Sequence, residues 1–117
     1  MGFLSNLFGP PLPSVTALEL GEKLKNGKHP LVLDVRQPAE YRVAHIPGAK
    51  LIPLGELDKR MQELPKNREI VCVCASGHRS SSATRMLINA GYNAIDMKGG
   101  MGTWRNAKLA IKKGEFA

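Results

Sequence analysis

Near the middle of the chain an apolar run ends on two cysteines and gives way to a small, polar, basic loop: "VCVCASGHRSS", Val71 to Ser81. Cysteine usually behaves as a buried small hydrophobe, and Cys72 fits that role inside the run. Cys74 stands at its end, followed by Ala75, Ser76, Gly77, His78 and Arg79. A thiol attacks as the thiolate, which helix N-termini and nearby cations favour. Short side chains and Gly77 let this segment curl tightly from a strand end to a helix start. Its successive N–H groups can then turn inward as an anion-binding nest, aided by the helix dipole. The side chain best placed to sit in that nest is Cys74. Arg79 is charged at any working pH, and His78 can add charge. If the thiolate takes up a sulfur atom, the product is a persulfide anion. The same N–H groups would hold it, as an oxyanion hole holds its oxygen.

Spacing separates two chemistries. Cys74 to Arg79 is C-x4-R. Cysteine phosphatases use C-x5-R, a longer cradle that must surround a tetrahedral phosphate. The shorter loop suits a single extra sulfur.

These residues need elements to hold them. "EIVCVC", apolar on both faces, reads as a central strand of a parallel sheet. "RSSSATRMLINAG" reads as the following helix, opened by Arg79 or Ser80 and closed by Gly91. Upstream, Thr16 and Glu19 form a capping-box pattern before a helix that carries Leu18, Leu20 and Leu24. "LVLDV" suits a buried strand, and "PAEYRVAH" a short helix with Pro38 at its first position. "HIPGA" is a turn, "KLIPL" a strand, and "GELDKRMQEL" a helix by the spacing of Leu54, Leu57, Met61 and Leu64. Downstream, "NAIDM" is a strand, "KGGMGTW" a glycine-rich turn and "TWRNAKLAIKK" a last short helix. Strands alternating with helices indicate an α/β domain with a largely parallel sheet. In such sheets ligands bind beyond the carboxyl ends of the strands, where Cys74 falls.

The 117 residues suit one domain, and 43% apolar content supplies a core. Lysine and arginine number 17 against 10 acids, a formal charge of +7. That excess favours anionic partners, or is simply a solvated basic surface. No block of like charges reads as a nucleic-acid arm, so no nucleic acid is expected. Two cysteines at C-x-C spacing are a poor disulfide framework and too few ligands for structural zinc. No apolar run approaches the roughly 18 residues of a membrane span. The start, "MGFLSNLFGPPLPS", lacks the features of a signal peptide, and Asn6 breaks the myristoylation pattern. Phe3, Leu4, Leu7 and Phe8 can share one helical face that docks on the domain or frays. The expectation is a cytoplasmic monomer without a membrane partner.

Taken together, three segments resemble the rhodanese family of sulfurtransferases. "LVLDVRQPAEYRVAHIPGAKLIPL" is similar to the family's D-V-R…E-(F/Y)…G-H-I-P-G-A…I-P pattern, with Ala44 in place of the usual glycine before the histidine. "VCVCASGHRS" resembles its active-site loop, and "MKGGMGTW" its closing G-G…W segment. The resemblance implies a small, mostly parallel sheet flanked by helices on both faces, over residues 15–106. Residues 1–14 would be an N-terminal extension and 107–117 a basic C-terminal tail. It implies Cys74 as the sulfur-carrying nucleophile and Ala75, Ser76, Gly77, His78 and Arg79 as the cradle. Sulfur would pass from thiosulfate or a similar donor to Cys74, then to cyanide, a thiol or a protein acceptor. No metal or organic cofactor is expected. Single-domain members also serve as sulfur relays between proteins.

Plainer roles compete at several positions. Arg79 either pairs with an acid or faces the donor and persulfide, and the second is preferred. His78 is an exposed loop residue or a donor contact, and Ser76 tightens the loop. Ser80 and Ser81 occupy the first helical turn. Cys72 belongs to the core, since i and i+2 thiols on a strand lack favourable disulfide geometry. Asp34 and Arg36 suit structural ion pairing, Arg36 with Glu40 or another acid. His45, with Pro47 and Gly48, fixes a turn. Gly99, Gly100 and Gly102 let the backbone pass close to the sheet, and Trp104 packs. His29 is a surface residue, and none of these has metal-ligand spacing.

Overall fold

A computed structural model of the chain describes residues 11–27 and 29–115. The apolar stretch Phe3 to Phe8 lies outside the described residues. A single five-stranded sheet runs in the order β1-β5-β4-β2-β3, every neighbouring pair parallel. Its strands are β1 (Ser14–Val15), β2 (Leu31–Asp34), β3 (Lys50–Leu51), β4 (Ile70–Val73) and β5 (Ala94–Met97). The helices are α1 (Ala17–Lys23), α2 (Pro38–Val43), α3 (Leu54–Arg60), α4 (His78–Asn89) and α5 (Gly100–Asn106).

β4 is central and all of its residues are buried, as its unbroken apolar run requires. Alternation along it divides the core. Val71 and Val73 join Leu20, Tyr41, Met101 and Trp104 on one face. Ile70, Cys72 and Cys74 join Leu57, Ala83 and Leu87 on the other. α4 therefore packs on the face to which both cysteines point. α1 opens on the capping box, with Thr16 Oγ1 accepting from Glu19 N–H at 3.1 Å and Glu19 Oε1 accepting from Thr16 N–H at 2.8 Å.

Several elements depart from the sequence reading. β1 is a two-residue edge strand on β5, too short to leave a periodic signal. α4 starts one residue before Arg79, at His78, capped by Gly77. The glycine-rich "KGGMGTW" is not only a turn, because α5 already begins at Gly100 and ends at Asn106. A Cβ on Gly100 would collide with the Cys74 carbonyl oxygen and with Ala75, so glycine is what allows this helix to start against the loop. Beyond α5 the chain turns back: Lys112 and His45 exchange backbone hydrogen bonds of 2.9 and 2.8 Å. Leu109 and Ile111 pack on the first core cluster.

Candidate active site

Cys74 follows the last residue of β4, and only 1% of it is exposed. Gly77, at φ 114°, takes a left-handed conformation that a side chain would strain. That conformation brings the Gly77 N–H to 3.0 Å from Cys74 Sγ. The loop carbonyls turn the other way, toward α5. Cys74 C=O accepts from Met101 N–H at 2.8 Å and Ala75 C=O from Gly102 N–H at 3.2 Å. Two helices thus hold one loop: the start of α5 grips its carbonyls, and the start of α4 stands behind the sulfur. Cys74 Sγ also lies 3.3 Å from Ser80 Oγ. Ser80 is fully buried.

The rim is formed by Ser76 and His78, both exposed, with Ser76 Oγ 3.4 Å from His78 Nδ1. Ala75, Gly77 and Arg79 are half-buried. The guanidinium of Arg79 makes a two-pronged bond to Glu40, at 2.7 and 2.9 Å. That bond, against the cost of burial, holds the Glu40 carboxyl down at about 2. Arg79 is thus the paired cation that the sequence allowed as one option, tying α4 to α2. The alternative pairing of Arg36 with Glu40 is not formed. Arg36 instead binds Asp34 through its Nη2 at 2.7 Å and its Nε at 2.9 Å, and caps the Ala44 carbonyl at 2.7 Å. Strand geometry explains the choice: Asp34 and Arg36 are two residues apart and both buried at one strand end.

The remaining sequence candidates sit apart from the sulfur. Cys72 is fully buried in the core, and burial pushes its thiol up to about 12. His45 is buried, stacked on Tyr41 at 3.7 Å, with Nδ1 2.9 Å from the Tyr41 carbonyl. Tyr41 donates to Ala49 C=O at 2.9 Å and closes the turn that His45 opens. Trp104 is buried and donates to Ala110 C=O at 2.9 Å. His29 is exposed.

Sequence reasoning missed what α4 places beside the sulfur and what β5 places beside α4. Ser80 was visible as the next helical turn, but only packing shows its hydroxyl aimed at Cys74. Ser81 Oγ lies 2.7 Å from Gly77 C=O and 3.1 Å from Asp96 Oδ2. Asp96 drew no attention within "NAIDM". An acid at an inward strand position was the available signal.

This strand–loop–helix arrangement, with a thiol at the head of a helix and a second helix gripping the loop, matches a known family. The rhodanese-like domain model matches residues 16–107, and the chain belongs to that family. A putative sulfur carrier protein of Bacillus subtilis, YrkF, is 39% identical over 94 residues, covering 80% of this chain and 51% of YrkF. The chain thus spans about half of that relative's length. A sulfurtransferase of Allochromatium vinosum is 36% identical over 93 residues, covering 79% of this chain and 87% of that protein. Among solved structures, a rhodanese-related protein of Thermoplasma volcanium superposes with a TM-score of 0.81 at 31% identity, covering 86% of this chain and 97% of its own. A rhodanese-like domain protein of Staphylococcus aureus gives 0.79 at 36% identity, with 86% and 99% covered. Among the described residues, no helix is long and apolar enough to cross a membrane.

Proposed function

We propose that the chain is a sulfurtransferase that carries sulfane sulfur as a persulfide on Cys74. The observation that carries this reading is the Gly77 N–H directed at Cys74 Sγ at 3.0 Å, at the head of α4. A donor amide and a helix N-terminus stabilise negative charge on that sulfur. They serve the thiolate before transfer and the persulfide after it. The Cys74 thiolate attacks the outer sulfur of thiosulfate, or of a similar anionic donor. The donor S–S bond breaks, and sulfite leaves with the bonding electrons. Cyanide or a thiolate then attacks the terminal sulfur. The Cys74 S–S bond breaks, and thiocyanate or a new persulfide departs as the thiolate returns. Neither step needs a metal or an organic cofactor. The near-complete burial of Cys74 favours slim donors and acceptors that enter end-on past Ser76 and His78.

Intact-protein mass spectrometry tests this. Thiosulfate is expected to add one sulfur atom, cyanide to remove it as thiocyanate, and Cys74→Ser to abolish both. A second reading is a relay that passes sulfur between protein partners in the cytoplasm, favoured by a relative named a sulfur carrier. Its mark is a mass gain from a persulfidated protein without one from thiosulfate. No gain from either donor would remove Cys74 from sulfur chemistry.

A further inference from the structure

Ser80 is fully buried on the first turn of α4, and the reaction above gives its hydroxyl nothing to do. Its Oγ lies 3.3 Å from Cys74 Sγ and 3.2 Å from the Gly77 carbonyl oxygen. The Cys74 thiol donates to Ser80 Oγ, and the Ser80 hydroxyl donates to Gly77 C=O. That carbonyl does not depend on Ser80. The Ser81 N–H donates to it at 3.2 Å, the first helical bond of α4, and Ser81 Oγ stands 2.7 Å away. The Ser80 proton can therefore leave Gly77 C=O without orphaning a buried acceptor. A hydroxyl hydrogen turns about its C–O bond to suit its partners, so the change moves no heavy atom.

We propose that Ser80 is a second catalytic donor to Cys74, a hydroxyl that turns from the Gly77 carbonyl to the sulfur when the thiolate forms. As the Cys74 S–H bond breaks, its electron pair stays on sulfur and its proton goes to water beyond the rim. Ser80 Oγ then receives no hydrogen from sulfur and faces an anion. Turning its own hydrogen to that anion exchanges a neutral hydrogen bond for a stronger, charge-assisted one. The Ser80 bond to sulfur thus exists only when the sulfur is charged. In the persulfide the charge sits on the outer sulfur, and Cys74 Sγ is neutral. Ser80 therefore favours the free thiolate over the loaded state, and it speeds the step in which that thiolate departs. A leaving thiolate that is better stabilised leaves faster, so the step served is unloading to the acceptor. This role rests on Cys74 being the sulfur-carrying thiol.

The charged and titratable groups around the sulfur are engaged elsewhere. On α4, Arg79 is held by Glu40 of α2, and His78 lies at the rim beside Ser76. Past the end of β2, Arg36 is held by Asp34. On β4, burial keeps the Cys72 thiol protonated. On β5, Asp96 accepts from Ser81. α5 meets the loop through the Met101 and Gly102 N–H groups, which bind its carbonyls.

The test compares the full chain with Ser80→Ala. The first readout is the pH profile of iodoacetamide alkylation, with the labelled cysteine located by peptide mass. The midpoint for Cys74 is expected to rise by roughly one pH unit in S80A. The second readout is taken above both midpoints, where wild type and variant are both thiolate. Loading from thiosulfate is expected to be no slower in S80A, because a less stabilised thiolate is the better nucleophile. Unloading to cyanide is expected to be about threefold slower. Loss of the loop's shape alone would slow both steps together. Should S80A fail to fold, the buried Ser80 hydroxyl proton of the wild type is followed by NMR. It is expected to move downfield across the alkylation midpoint. An unmoved midpoint, equal slowing of the two steps, or a hydroxyl resonance that stays in place would each overturn the role of Ser80. Alkylation reads Ser80 whether or not sulfur loads. A raised S80A midpoint without loading in the wild type sinks the functional reading and keeps the donor, and loading with an unmoved midpoint does the reverse.

Discussion

At the scale of single residues, the two cysteines differ by their position relative to the strand end. Cys72 lies inside β4 with its thiol held protonated by burial, and Cys74 lies just past it, under an amide. Cys72→Ala is therefore expected to leave sulfur loading nearly unchanged. It should cost about 1 kcal/mol of stability from lost core packing, read by denaturant melts. Cys74 is almost as buried as Cys72. Relative to a free thiol, it should react far more slowly with a bulky aromatic disulfide than with iodoacetamide. Equal slowing of both reagents would mean that the rim does not select by width. The setting of Cys74 was legible because it is local: strand end, short loop and helix start are contiguous. The contact of Asp96 with Ser81 was not legible, because it forms only when β5 lies beside β4 and α4 packs over them. The acids that Arg36 and Arg79 meet were left open for the same reason. Glu40 is met by Arg79, separated from it by 39 positions and brought close only when α4 packs near α2.

At the scale of elements, the loop is a joint between helices. The Arg79–Glu40 pair ties α4 to α2, and its pH dependence has a definite sign. Glu40 titrates at about 2 in the folded chain and near 4.3 when unfolded. A lowered folded value means the tie is fully present above the unfolded value and is lost as pH falls toward the folded one. The two side chains are 34% and 35% exposed, so solvent screening limits the tie to roughly 0.5–1 kcal/mol. Glu40→Gln should lose that amount at neutral pH. Thermal melts between about pH 4.3 and 2 should then decline less steeply for the variant than for the wild type. On the other side of the loop, Gly100 sits at φ 60° with no room for a Cβ. Gly100→Ala should cost about 1–3 kcal/mol and slow sulfur loading, because the Cys74 and Ala75 carbonyls lose their fit to α5. Loading at the wild-type rate in a destabilised G100A would separate the α5 contact from catalysis.

At the scale of the whole molecule, the segment after α5 contributes to the core although its composition is basic. Leu109 and Ile111 pack on the cluster beneath Trp104, and Ala110 C=O accepts the Trp104 indole N–H. Lys112 holds this return to His45 through the backbone. Truncation after Ala107 should cost about 2–4 kcal/mol through these half-buried aliphatic side chains, seen as a lower denaturation midpoint. An unchanged midpoint would show that the segment merely rests on the surface. Two kinds of information thus meet in this chain. Sequence alone determined the alternation of strands and helices, the central place of β4, the capping box of α1 and the setting of Cys74 between a strand end and a helix start. Each of these depends on periodicity or neighbours a few residues away, which the chain carries along its length. Tertiary structure alone decided which acid each arginine meets, how α5 grips the loop, and that Asp96 stands within reach of Ser81. Those depend on which strands pair and which faces are buried, and distant segments acquire such relations only when the sheet closes over its core.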